Sequence, residues 1–130
     1  MKKEFVPYEF ALKLKTLGFD EPCFGYYIEL VNPIESILTI GQCDKNVDGC
    51  LAPTFSQAFR FFRKKHGLLH DITLNLDDNN LLVGFYIMVH ELDGLLIDED
   101  LSVDVDIVST ERDEAELAGL IMMIEIVENK

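Results

Sequence analysis

Three stretches of the chain carry apolar residues at the spacing of an amphipathic helix. The first is preceded by Pro7, which suits a first helical turn, and followed by Gly18, which suits the left-handed residue after a helix end. These signals predict one helix over residues 7–17, a second within residues 52–67 and a third within residues 111–129. The apolar faces consist of Phe10, Leu14 and Leu17 in the first helix, Phe55, Phe59 and Phe62 in the second, and Leu117, Leu120, Ile121, Ile124 and Val127 in the third.

Two strands are predicted between the first and second helices. Residues 22–31 are rich in aromatic and β-branched side chains and lie between two prolines, which is typical of a strand. Residues 35–43, "ESILTIGQC", have the composition of a partner strand. The two segments are therefore expected to pair with each other.

A hairpin and a further strand are predicted between the second and third helices. Apolar residues alternate with polar ones on both sides of "DDNN" at residues 77–80, which predicts a hairpin over residues 70–92. Its second strand is apolar on both faces and is therefore predicted to be central and covered on both sides. A loop is expected at residues 93–100, and a last strand over residues 101–109.

The predicted order of elements, α-β-β-α-β-β-β-α, contains no repeated βαβ alternation. An α+β fold is therefore expected, with a mainly antiparallel sheet and about three helices packed on it. The length of 130 residues is that of one domain, so a single domain is predicted over residues 1–130.

Charge is distributed unevenly between the two halves of the chain. Residues 1–65 carry nine Lys/Arg against eight Asp/Glu, a net charge of +1, whereas residues 66–130 carry two against sixteen, a net charge of −14. An acidic surface repels nucleic acid and attracts basic partners, so direct nucleic-acid binding is not expected. The alternative interpretation is a solvated acidic face that keeps a small protein soluble.

The stretch "DKNVDG" resembles the first half of a calcium-binding loop. Asp44, Asn46 and Asp48 alternate and are followed by Gly49, as such a loop requires. The twelfth position of the loop, where calcium needs a bidentate carboxylate, is Phe55. A structural turn is therefore predicted, since these residue types tolerate turn dihedral angles.

The remaining polar clusters do not form a complete catalytic set. The carboxylates of "DED" at residues 98–100 and "DVD" at residues 104–106 could share a strand face and bind Mg²⁺, as in a metal-dependent hydrolase. No cation stands nearby to handle phosphate, so a solvated strand face is preferred. The cysteines Cys23, Cys43 and Cys50 lack zinc-site spacing. No metal, no cofactor and no enzymatic activity is therefore predicted.

Two groups of residues are candidates for binding. The aromatic strand and the second helix would form a pocket for a nucleotide-like small molecule, although aromatic residues at these spacings also suit a core. The acidic surface of the C-terminal half would engage a basic protein partner. The ligand-binding candidates are Tyr26, Tyr27, Phe59 and Arg63, and the partner-binding candidates are Asp98, Glu99, Asp104 and Asp106.

Three segments of the chain resemble a family of small proteins of bacteriophages and prophages, chiefly of gut Bacteroidota. The segments are "KKEFVPYEFALKLKTLGFDEPCFGYY", "LAPTFSQAFRFFRKKHGLL" and "DEAELAGLIMMIEIVENK". The chain departs from the family pattern at Phe61, where a tryptophan is frequent, and in "STERDEAE", which lacks the usual tyrosine. The resemblance implies a phage or mobile-element context and assigns no functional residues.

The leading hypothesis is a non-enzymatic, phage-associated accessory protein that binds a host or phage protein through its acidic half. The alternative is a protein that binds or sequesters a small, nucleotide-like molecule. The N-terminus lacks an apolar signal-peptide region and no apolar run reaches the length of a membrane span, so the cytoplasm is the expected compartment. Self-association is compatible with either hypothesis.

Overall fold

The structure is a computed structural model that describes residues 4–29, 36–43, 49–93, 96–107 and 111–130. The chain forms two compact units, Met1–Ala58 and Phe59–Lys130. The helices are α1 (Tyr8–Thr16), α2 (Phe55–His66) and α3 (Arg112–Glu128), and the strands are β1 (Cys23–Glu29), β2 (Ser36–Cys43), β3 (Cys50–Leu51), β4 (Leu68–Leu76), β5 (Leu82–Asp93) and β6 (Leu96–Ile107).

The predicted α+β class is confirmed, with three helices and two antiparallel sheets in the described residues. The prediction of one domain over residues 1–130 stays a prediction.

The first unit contains α1 and a small sheet of strand order β2-β1-β3, and α1 contacts β3. The helix begins after Pro7 and ends at Thr16, with Leu17 as its C-cap, so it lies within one residue of the predicted range 7–17 at each end. Gly18 follows with a positive φ of 101°, and the backbone N–H of Phe19 then donates to the Leu14 carbonyl at 2.9 Å. This reversal returns Phe19 to the core, where it is 5% exposed.

In the second unit, β4, β5 and β6 form an antiparallel meander with β5 in the middle. Helix α3 packs on β5, where Ile87 and Val89 are fully buried. The helix contributes Leu120 and Met123, which are also fully buried. The predicted apolar face is only partly correct: Leu120 and Ile124 are buried, whereas Leu117, Ile121 and Val127 are half-buried. The buried side of α3 is completed by Ala115, Gly119, Met122 and Met123, because the small residues at 115 and 119 let this side approach the sheet.

Gly119 allows α3 to approach β5 closely. A Cβ atom built at Gly119 would lie 3.1 Å from the Cγ2 atom of Ile87 and 4.0 Å from the ring of Phe59. The first distance is shorter than an ordinary van der Waals contact, so the helix backbone and the strand side chain touch because no side chain separates them.

Two expectations for the meander are wrong. The loop expected at residues 93–100 is strand from Leu96 onward, because β6 continues the β5 ladder through the pairs Asp93↔Leu96 and Glu91↔Asp98. A run of acids has low strand propensity, but the neighbouring strand supplies the pairing that propensity alone does not. Strand β5 is central as predicted, but it is not covered on both faces, since Tyr86 is 42% exposed.

Enlarging Gly119 should destabilise the second unit according to the size of the new side chain. We expect Gly119→Leu to lower the free energy of unfolding by about 1–3 kcal/mol, because the side chain must displace Ile87 from a packed site. Gly119→Ala is the matched control, since the gain in helix propensity of about 1 kcal/mol offsets a contact that is short by only a few tenths of an ångström. Urea unfolding of both variants measures the difference, and equal stabilities would contradict the close approach.

Candidate functional site

The tip of the β4–β5 hairpin is held by a network of short-range hydrogen bonds. The carboxylate Oδ1 of Asp77 accepts from the backbone N–H groups of Asn79 at 2.8 Å and Leu81 at 2.9 Å. The backbone N–H of Asp77 donates to the Leu81 carbonyl at 2.9 Å, and Asn80 adopts a positive φ of 62°. The predicted turn at residues 77–80 is confirmed, and it fixes the ends of both strands.

Large apolar side chains are exposed on this hairpin tip. We call them the hairpin-tip patch, and their exposed fractions are 57% for Leu74, 46% for Leu76, 64% for Leu81, 38% for Leu82 and 39% for Val83. Leu76 lies directly opposite Leu82, and Leu74 lies opposite Phe85, which is 5% exposed. The apolar face of the sheet therefore continues past the part that the protein buries.

Strand β6 carries all four acids that the sequence predicts to bind a partner. Its backbone pairs Asp98 with Glu91, Asp104 with Met88 and Asp106 with Tyr86, and Glu99 follows Asp98 on the same strand. The side chains of the four acids lie outside the described part of the structure. Asp98 and Glu99 are thus strand residues rather than loop residues, and β6 brings the four acids onto one element.

Strand β6 is also an edge strand in the part of the chain that the structure describes. Its sheet has three strands in the order β4-β5-β6, so β6 pairs with β5 on one side only. No lysine or arginine occurs between Lys65 and Arg112, a stretch that includes the whole meander. An edge of unpaired backbone groups in such an acidic stretch can accept an extended, positively charged segment.

The two tyrosines predicted to bind a ligand lie on β1 in the first unit. Tyr27 is 7% exposed, and its hydroxyl donates to the carbonyl of Val6 at 2.7 Å while its ring packs edge-on against Tyr8. Burial, and then the nearby Cys50 thiol, raises the pKa of the Tyr27 hydroxyl. Tyr26 is half-buried. The structure therefore gives Tyr27 a packing role, and its ligand-binding role stays a prediction.

The other two ligand-binding candidates lie one turn apart on α2, in the second unit. Phe59 is 6% exposed and its ring stacks on that of His70, with centroids 3.7 Å apart and an interplanar angle of 16°. Arg63 is exposed. The second helix is thus a core element through its phenylalanines, and only Arg63 of this pair offers its side chain to solvent.

His70 lies near charged residues of α2, β4 and α3, a grouping that the sequence pattern did not indicate. Its pKa is lowered by burial, raised by Asp71 and lowered further by Arg112 and Arg63. On α3, the Nε atom of Arg112 lies 3.6 Å from the Oε1 atom of Glu116. Burial raises the pKa of the Glu116 carboxyl, an effect that Arg112 opposes.

The calcium-like residues Asp44, Asn46 and Asp48 lie outside the described residues. Gly49, which ends the motif, has a φ of 133°, a conformation that favours glycine and suits the predicted turn. The side chain of Lys15 donates to the Gly49 carbonyl at 3.1 Å. In the described residues, no group of three or more His, Cys, Asp or Glu side chains converges as a metal site would require.

A small cavity lies beside this lysine in the first unit. Its volume is about 240 Å³, and its lining includes Lys15, Phe19, Asp20 and Leu51. Pockets for drug-sized ligands generally occupy about 300–1,000 Å³. The cavity therefore suits a ligand smaller than a nucleotide, and neither Tyr26 nor Tyr27 lines it.

Comparisons with known protein families, with curated proteins and with solved structures found no match. The phage-family resemblance of the three sequence segments therefore stays a prediction. None of the helices in the described part of the chain combines the length and apolar character needed to cross a membrane.

Removing the hydroxyl of Tyr27 should destabilise the protein more than removing the hydroxyl of Tyr26. We expect Tyr27→Phe to lower the free energy of unfolding by about 1–2 kcal/mol, because the buried Val6 carbonyl loses its donor. Tyr26→Phe on the same strand is the matched control, with an expected change below about 0.5 kcal/mol. Denaturant unfolding compares the two, and equal costs would argue against the hydrogen bond as a stabilising contact.

Replacing His70 should reduce the loss of stability on mild acidification. Its folded-state pKa lies below the ordinary value of 6.5, so the unfolded state binds the proton more readily and stability falls as the pH drops through 6.5. We expect His70→Phe, which keeps a ring on Phe59, to flatten this pH dependence. Some dependence should remain, because burial also lowers the pKa of His66. Free energies of unfolding of both proteins, measured at pH values on either side of 6.5, test this prediction. An unchanged pH dependence in His70→Phe would contradict it.

Proposed function

We propose that this protein is a non-enzymatic binding protein that captures a basic partner protein through the acidic edge strand β6. The observation that supports the proposal most is that Asp98, Glu99, Asp104 and Asp106 lie on one strand, which is at the sheet edge among the strands that the structure describes. The meander to which this strand belongs contains no lysine or arginine. Strand pairing supplies backbone hydrogen bonds to an added segment, and the acids select its charge.

The same acids also explain why the edge would not pair with another acidic strand. Charged residues on edge strands oppose edge-to-edge association of identical sheets, since like charges repel across the new ladder. A partner segment rich in lysine or arginine relieves this repulsion instead. Backbone hydrogen bonds would form with any added strand, so the proposed site discriminates between partners by their charge.

The proposed partner is a host or phage protein, and the proposed compartment is the host cytoplasm. The resemblance of three sequence segments to a phage and prophage family supports this context. A basic partner that binds nucleic acid would present the same cationic surface to an acidic strand, so competition with nucleic acid is part of the proposal.

The small-molecule alternative has less support. Tyr27 and Phe59, two of its four candidate residues, are 7% and 6% exposed and are engaged in packing. The cavity of about 240 Å³ in the first unit involves other residues and is small for a nucleotide.

Neutralising the four acids should weaken the binding of a basic peptide. The variant Asp98→Asn, Glu99→Gln, Asp104→Asn and Asp106→Asn is titrated against a fluorescent, lysine-rich peptide, and anisotropy reports the dissociation constant. We expect binding to weaken by about ten-fold or more, equivalent to about 1.4 kcal/mol. Wild-type binding should also weaken as salt rises from about 0.05 M to about 0.3 M, because screening shortens the range of the charges.

A second variant removes the same number of charges elsewhere. Glu4, Glu9, Glu125 and Glu128 are exposed acids outside the meander, and their replacement by glutamine should leave most of the affinity. Equal weakening by both variants would show that net charge, rather than β6, attracts the peptide. Binding that is indifferent to salt and to both sets of substitutions would refute the proposed function.

A further inference from the structure

We propose that the hairpin-tip patch binds a basic amphipathic helix of the partner protein. This inference rests on the proposed function. It adds a second contact for the same partner, made with an apolar surface rather than with the acidic strand β6. It concerns Leu74, Leu76, Leu81, Leu82 and Val83, which the partner-binding strand β6 does not include.

The patch is a fixed surface rather than a loosely held loop. Two backbone N–H groups of the turn bond to the Asp77 carboxylate, and the Asp77–Leu81 backbone pair closes the hairpin. Leu81, with 64% of its surface exposed, therefore keeps its position at the tip. A preformed apolar surface binds at a lower cost in conformational entropy than one that must first become ordered.

Its position in the sheet indicates which kind of element covers it. Leu74 and Leu76 stand opposite Phe85 and Leu82, on the face whose next pair inward is Ile72 and Ile87. Ile87 is fully buried there under α3, which touches it at Gly119. A helix is therefore the element that already packs on this face, and an added helix would extend the same layer.

The charge around the patch specifies the flanks of that helix. The turn contributes Asp77 and Asp78 beside the patch, and the meander contains no lysine or arginine. A helix with apolar anchors at positions i, i+3, i+4 and i+7 and with lysine or arginine beside them complements both properties. An acidic helix with the same anchors would be repelled.

A second copy of this chain is a poorer occupant. Its own hairpin tip would bring the same acids against each other. Its basic helix α2 carries exposed Arg60 and Arg63, but the phenylalanines of that helix are buried, with Phe62 fully so and Phe59 at 6% exposure. Helix α2 therefore has basic residues to offer and no free apolar stripe.

The test uses three synthetic helical peptides of about 18 residues, long enough for the four anchors. The first has a leucine stripe flanked by lysine, the second has the same stripe flanked by glutamate, and the third has the composition of the first in scrambled order. Anisotropy titrations with wild-type protein should show the first binding at least ten-fold more tightly than either of the others. Equal binding of the scrambled peptide would overturn the inference, since charge alone would then suffice.

Substitutions locate the site. Leu74→Thr and Leu76→Thr keep strand-favouring residues in β4, and Leu81→Ser removes the most exposed side chain. The triple variant should bind the basic amphipathic peptide about ten-fold more weakly. The control is Leu12→Gln, because Leu12 is 39% exposed on α1 in the first unit and should not contribute.

A measurement on the wild-type protein removes dependence on the folding of the variants. Amide hydrogen exchange with and without the basic amphipathic peptide should show increased protection at residues 72–84. Protection confined to other segments would overturn the inference. A wild-type dimer in light scattering that the triple variant abolishes would also overturn it, because the patch would then be a self-interface.

The two proposals fail separately. If the triple variant binds normally while the β6 acid variant does not, the hairpin-tip inference is wrong and the proposed function stands. If the triple variant loses binding to the amphipathic peptide while the acid variant still binds the lysine-rich peptide, the reverse holds. Normal binding by both variants would refute both.

Discussion

The close packing of α3 on β5 is the contact on which the second unit depends. Gly119 lets the helix backbone reach the Ile87 side chain, which buries the middle of the sheet face. The hairpin extends beyond the region that this contact covers, so Leu74 and Leu76 remain exposed on the same face. The arrangement thus produces both a stable core and an uncovered continuation of it.

In the proposed binding mode, a partner contacts two different surfaces of one meander. Within the described ranges β6 pairs on one side only, in a stretch without lysine or arginine, and the hairpin tip exposes apolar area. Apolar burial supplies most of the affinity in a typical interface, whereas charge sets the rate of encounter and the choice of partner. A protein that carries both features on a single sheet can combine strength with selectivity.

The aromatic residues illustrate how one pattern supports two interpretations. Tyr27 and Phe59 are residue types that could stack on the ring of a ligand. In the structure, however, the Tyr27 ring packs on Tyr8 and the Phe59 ring packs on His70. The stacking of Phe59 on His70 joins a helix to a strand that follows it, and Arg112 comes from a helix much later in the chain. Such a group cannot be identified from spacing, because its members become neighbours only when the sheet and helices pack.

By itself, the sequence determined the three helices, the antiparallel pairing, the turn at residues 77–80 and the acidic character of the C-terminal half. These properties follow from local periodicity, turn chemistry and composition, which do not depend on distant contacts. Only the tertiary structure decided that β6 begins at Leu96, that one end of the hairpin is uncovered and that Tyr27 is packed. Strand extension and burial depend on which segments meet in space, and periodicity along the chain does not encode how far a neighbouring element reaches.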